Sequence, residues 1–163
     1  TALMHAASGN EGESIQQLME FGADVNMDDK NEMNALIYAA KKGKGECIKQ
    51  LVEYGADVNK NDKCGMTALI HASNEGKDGC IQQLMKCCAD VNMNDNNGMT
   101  GLMHAAKEGY GKCIKQLIEC GDDMNMIDNN GMTALMYAAR EGKDDCIKHL
   151  LECGADVNIN DNN

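Results

Sequence analysis

The sequence predicts an all-α repeat solenoid of stacked helix-turn-helix units, and three observations carry that expectation. Thr1-Ala2-Leu3 returns as Asn34-Ala35-Leu36, Thr67-Ala68-Leu69, Thr100-Gly101-Leu102 and Thr133-Ala134-Leu135, at a constant step of 33 residues with no insertion or deletion. A fixed period of this size marks units that cannot bury their apolar faces alone. Each unit also holds two short stretches with apolar residues at helical spacing, separated by glycine or asparagine. Finally, the repeat consumes all 163 residues, which fall into units 1–33, 34–66, 67–99, 100–132 and 133–163 with no second domain.

The elements of a unit follow in order. Thr, or Asn34 in the second unit, is an N-cap, and Leu3, Ala6 and Ala7, returning as Leu36, Ala39 and Ala40, form the apolar face of a first helix of roughly eight residues. Gly43, Gly76, Gly109 and Gly142 end it, with Asn10 in the first unit, the other residue that readily takes a left-handed cap. A second helix carries Ile15, Leu18 and Met19 at i, i+3 and i+4, repeated as Ile48, Leu51 and Val52, and stops at Gly22, Gly55, Gly121 and Gly154. The Asn-, Asp- and Gly-rich stretch that follows, opening with Asp24-Val25-Asn26, has the composition of a projecting turn or hairpin, a finger. Helix nucleation is unfavourable below about 12 residues, so stacking must hold these helices, and the Ala6-Ala7 pair lets the next unit approach closely.

Composition excludes several functions. With 26 acidic and 15 basic side chains the net charge is −11, and one Phe and four Tyr are the only aromatics, which argues against binding nucleic acid. No apolar run approaches the ~20 residues of a membrane span, and no basic-then-apolar leader opens the chain. Nine cysteines are an odd count, unlike a disulfide framework, so we expect reduced thiols and an intracellular, cytoplasmic location.

The 33-residue period, Thr-x-Leu followed by Ala-Ala, the glycine at the helix break, Leu18 to Asn26 (Leu-Met-Glu-x-Gly-Ala-Asp-Val-Asn), and Asp29 with Gly65-Met66-Thr67 in later units resemble the ankyrin repeat over the whole chain. The resemblance implies a curved stack of antiparallel helix pairs with β-hairpin fingers at right angles, and a role in binding other proteins. Three departures stand out. The family's Pro after Thr is Ala or Gly here, which loses a preset φ. Its buried His after Leu is Met4, Ile37, Ile70, Met103 or Met136. Cys88 replaces a helix-ending glycine, at a cost of roughly 1 kcal/mol, making the third unit a soft point. Because Thr1 begins in mid-motif and Asn163 stops before the next Gly-Met-Thr, the chain reads as an internal piece of a longer protein.

Met33, Met66, Met99 and Met132 each stand immediately before an N-cap. They admit two readings: adaptable partner contacts at the finger bases on the concave side, or hydrophobic staples packing on Tyr38, His71, His104 and Tyr137. The row His5, Tyr38, His71, His104, Tyr137 reads as groove lining, because equivalent residues a helix-packing distance of ~10 Å apart are too far apart to share one metal ion. The two cysteine rows, Cys47/Cys80/Cys113/Cys146 and Cys87/Cys120/Cys153, read as small buried hydrophobes, with Cys64 on a finger the most exposed. Asp-x-Asn (Asp24/Asn26 and its counterparts) is turn chemistry. Alternatively, Asn26, Asn59, Asn92 and Asn158 are modification sites, since the resemblance implies that an asparaginyl hydroxylase acts on asparagines with Leu eight residues before, as Leu18 stands to Asn26. Met124 replaces Val and sets Asn125 apart.

Charge is uneven: the first unit has one Lys against seven acids, and the second has six Lys against four acids, a contrast able to orient a charged partner. Residues that differ between units lie after the first helix (Ser8, Lys41, Lys42, Asn74, Lys107, Arg140) and on the fingers (Lys30, Lys63, Asn96, Asn129). The expectation is a non-catalytic module that binds a partner protein through its concave groove and finger tips, needing no metal, cofactor or small-molecule substrate. A passive spacer is the alternative. An enzyme is disfavoured because no phosphate loop or nucleophile elbow is present and nearly every reactive residue recurs with the repeat.

Overall fold

A computed structural model describes residues 1–162. Five helix pairs run along it: α1 (Ala2–Gly9) and α2 (Gly12–Glu20), α3 (Ala35–Lys41) and α4 (Gly45–Glu53), α5 (Ala68–Asn74) and α6 (Asp78–Lys86), α7 (Gly101–Glu108) and α8 (Gly111–Glu119), α9 (Ala134–Arg140) and α10 (Asp144–Glu152). First helices stack on first helices and second on second, so each unit leans on its neighbours. Every first helix starts on its expected cap: the Thr1, Thr67, Thr100 and Thr133 hydroxyls accept the N–H three residues on at 3.3 Å, and the Asn34 side chain does so at 2.9 Å. These caps supply locally what the missing prolines would have preset.

Between the two helices the chain turns through a left-handed residue, Gly43, Gly76, Gly109, Gly142 or Asn10. Glycine answers a second demand there. A Cβ on Gly76 would lie 2.7 Å from the ring of Tyr110, and one on Gly109 would lie 2.9 Å from the Lys143 stem, because the residue opening the next unit's second helix lies across the turn. Second helices have no side-chain cap, and their stability comes from the buried face Ile15, Ile48, Ile81, Ile114 with Leu51, Leu84, Leu117 and Leu150.

The β-hairpins expected of the fingers are not confirmed as paired strands. The strand content of the described residues is confined to isolated antiparallel bridges, Asn61 with Thr67 and Asn94 with Thr100. Each finger is a tight turn closed by its own backbone, Asp29 N–H donating to Met33 O at 3.0 Å with the same bond at Asp62, Asp95 and Asp128, and reinforced by the aspartate side chain. The N–H groups of Asn31 and Met33 donate to Asp29 Oδ1 at 2.8 and 3.0 Å, and the same pair of bonds recurs at Asp62, Asp95 and Asp128. The finger backbones bond sideways: Lys63 N–H donates to Asn31 O, Asn96 to Cys64, Asn129 to Asn97 and Asn162 to Asn130, at 2.9–3.1 Å. Short segments dominated by Asn, Asp and Gly cannot sustain strands of their own, and their free backbone groups are satisfied by the adjacent repeat.

The cysteine rows divide. Cys47, Cys80, Cys113 and Cys146 are buried, as expected, and burial pushes their thiols up, Cys80 and Cys113 to about 11. The second row corrects the sequence reading: Cys120 and Cys153 are exposed and Cys87 is half-buried, because this position caps the second helix and points past the packed face. Cys88 is exposed as well, so Cys64 is one of four exposed thiols, and all nine cysteines are free.

Candidate partner-binding surface: the groove and the fingers

The aspartate that closes each finger also ties it to the helix that follows. Its second oxygen, Oδ2, meets the ring nine residues on. The Tyr38 hydroxyl donates to Asp29 at 2.9 Å, His71 Nε2 pairs with Asp62 at 2.9 Å, His104 Nε2 with Asp95 at 3.1 Å, and the Tyr137 hydroxyl donates to Asp128 at 2.6 Å. One carboxylate therefore holds the turn with Oδ1 and the helix with Oδ2. Burial pushes the Asp29 and Asp128 carboxyls up, but the combined N–H and hydroxyl donors outweigh it and hold both below the usual carboxylate range. The same bond raises the Tyr38 hydroxyl, while burial together with Asp128 pushes Tyr137 up to about 12. Burial keeps the His71 ring neutral to lower pH than usual, against the opposing pull of Asp62.

These latches revise the ring row. His71, His104 and Tyr137 are buried and Tyr38 half-buried, so their polar atoms serve the fingers and little of them lines an open groove; only His5, which has no preceding finger to hold, is exposed. Met33, Met99 and Met132 belong to the core and Met66 is half-buried, which agrees with inward packing and leaves little surface for direct contact. The aspartates themselves were missed as functional elements. Their constant nine-residue distance to a His or Tyr was the available signal.

The Asp-x-Asn asparagines hold the units together one level further out. The Asn26 side-chain oxygen accepts Asp57 N–H at 3.0 Å, and Asn59, Asn92 and Asn125 accept from Asp90, Asp123 and Asp156 at 2.9–3.1 Å. Asn125 joins this ladder like the others despite its Met124 neighbour. Asn26, Asn92 and Asn158 are exposed and Asn59 is half-buried.

A family model described as ankyrin repeats, in three copies, matches residues 3–87 and 69–161. The chain belongs to the ankyrin repeat family. No curated protein matches it. Ankyrin repeats are generally protein–protein interaction modules and generally non-catalytic. Among the described residues no helix is long and apolar enough to cross a membrane, and no group of three His, Cys, Asp or Glu is placed to hold a metal ion.

On this ankyrin frame the residues that vary between units are exposed or half-buried. Lys30 and Lys63 are exposed on the finger tips, as are Asn96 and Asn129, whose amides also donate to the Lys63 and Asn96 carbonyls of the preceding finger at 2.9 and 3.1 Å. At the other edge Lys42 and Arg140 are exposed and Lys41 and Lys107 half-buried. Arg140 lies 4.8 Å above the Tyr137 ring and donates to Glu141 at 3.2 Å. Lys60 reaches Asp28 of the preceding finger at 2.7 Å, a bond that raises its ammonium group above the usual range.

Proposed function

We propose that this ankyrin array is a non-catalytic module that binds a partner protein through the rim of its groove: Lys41, Lys42, Lys107 and Arg140 at the helix ends, and Lys30, Lys63, Asn96 and Asn129 at the finger tips. The observation that carries the reading is the division of labour between positions. Recurring residues (the finger aspartates, their ring partners and the laddered asparagines) are consumed by bonds within the frame. Exposed positions on the rim change from unit to unit. A rigid frame with variable exposed polar groups supplies specificity with little ordering cost. The buried methionines and rings act by fixing that frame.

Capture from a lysate of the source cell, comparing the native array with a Lys42→Glu, Lys63→Glu, Arg140→Glu variant of equal melting temperature, tests this. Proteins retained by the native array and lost by the variant are expected. Identical or empty captures would overturn the rim assignment and leave a spacer.

A further inference from the structure

Four repeats place alanine directly after the residue that ends the second helix: Ala23, Ala56, Ala89 and Ala155. The fourth repeat places Asp122 there. Asp122 is 5% exposed, and neither of its carboxylate oxygens has a hydrogen-bond partner. An ionised carboxylate in such a position has lost its water without compensation.

The two ends of the array reveal what covers it. Ala23, in the first repeat, is only half-buried, whereas Ala155, in the last, is buried. The cover is therefore the preceding repeat, and Asp122 is pressed against the third. Its neighbour Asp123 receives the tie across the same boundary, donating its N–H to Asn92 Oδ1 at 3.1 Å. Two other departures from the repeat pattern flank this junction: Cys88, held at φ 62°, and the Ser73–Gly101 contact.

The charged surroundings offer no counter-ion. Asp123 is adjacent and of like charge. Lys86 and Asp90 in the third repeat, Lys115 and Glu119 on α8, and Lys148 and Glu152 on α10 are all exposed, and among the described residues no ion pair reaches Asp122. Burial, reinforced by Asp123, pushes the carboxyl up to about 7.

We propose that the junction between the third and fourth repeats is a proton-operated hinge with Asp122 as its switch. Protonated, Asp122 sits in the alanine slot and the stack is continuous. Ionised, it regains water by parting the loop around Ala89-Asn92 from the loop around Gly121-Asn125. The open state has an ordinary carboxyl near 4, while the closed state keeps its proton to about 7. Opening therefore grows about tenfold per pH unit from roughly pH 4 to pH 7 and levels off above, where both states are ionised. The hinge divides the array into three repeats and two, and it stands whether or not the rim binds a partner.

Hydrogen exchange of the whole chain at pH 5, 6, 7 and 8, corrected for intrinsic rates, tests it against Asp122→Ala, which restores the residue of the other repeats, and Asp122→Asn, which is neutral throughout. Around residues 88–92 and 121–125 native protection should fall about tenfold per unit between pH 5 and 7 and then level, with no such slope in either variant. His71 titrates alike in all three proteins and cancels. A native profile that is flat, a slope that survives in both variants, or a slope spread evenly over the five repeats would overturn the proposal.

Discussion

At Gly101 an added methyl would stand 2.9 Å from the Ser73 hydroxyl oxygen, a group already donating to Leu69 O at 2.8 Å. The other repeats place Ala2, Ala35, Ala68 and Ala134 at the glycine position and Ala7, Ala40, Ala106 and Ala139 at the serine position. The larger residue of one repeat is thus accommodated by the smaller residue of the next. Gly101→Ala alone should destabilise by about 1–3 kcal/mol through overpacking, despite alanine's better helix propensity. Combined with Ser73→Ala it should match or exceed the native melting temperature, an outcome that thermal unfolding of the three variants would decide. A second residue-scale prediction concerns left-handed positions, where Cys88 after a helix and Glu32 in a finger turn hold φ of 62° and 61° in columns otherwise filled by glycine. Cys88→Gly should stabilise by about 1 kcal/mol in denaturant unfolding. The strain at Cys88 was readable as a gap in the glycine column. The Ser73–Gly101 exchange was not, because the two residues differ in different units and become a pair only when those units touch.

At the scale of the element, the finger shows how one side chain reinforces a short turn. Its backbone closes on itself, Asp128 N–H donating to Met132 O at 3.0 Å, and the Asp128 side chain adds bonds to the turn through Oδ1 and to the Tyr137 hydroxyl through Oδ2. Tyr137→Phe removes the second contact and should cost about 1.5–3 kcal/mol, the scale of a hydrogen bond to a charged group. The pH dependence has a definite sign. The folded-state carboxyls of Asp29 and Asp128 lie below their unfolded values, so their stabilisation is complete above the ordinary carboxylate range near pH 4 and is lost as pH falls below it. Acid titration of melting temperature should accordingly show a shallower fall below about pH 4 for Tyr137→Phe than for the native chain. A parallel fall would deny the latch any electrostatic role.

For the whole molecule, nearest-neighbour stacking is the source of stability, and the ends display it. Leu18 in the first repeat and Leu135 in the last are half-buried, while Leu51, Leu84 and Leu102 in interior repeats are buried. Leu102→Ala, at the fourth repeat, should cost about 2–5 kcal/mol and give two unfolding transitions where the native chain gives one, which calorimetry of both proteins would resolve. The −11 net charge enters at this scale as well. It sits in the same frame as a lysine-rich second unit, so rim variants should alter association rate and its salt dependence more than fold stability.

Whatever depends on residues within a few positions of one another is legible in the chain: the period, the Thr and Asn caps, the glycine breaks, the two apolar faces and hence the family. These follow from helix geometry and backbone sterics, which act locally. How the fingers pair, that the ring row faces finger aspartates, which cysteine row is buried, and that Asp122 lies uncompensated beneath the third repeat follow from packing between units. Those outcomes depend on which atoms of adjacent units meet. A column of equivalent residues reveals that units resemble one another, but the offset at which unit packs on unit selects the contacts.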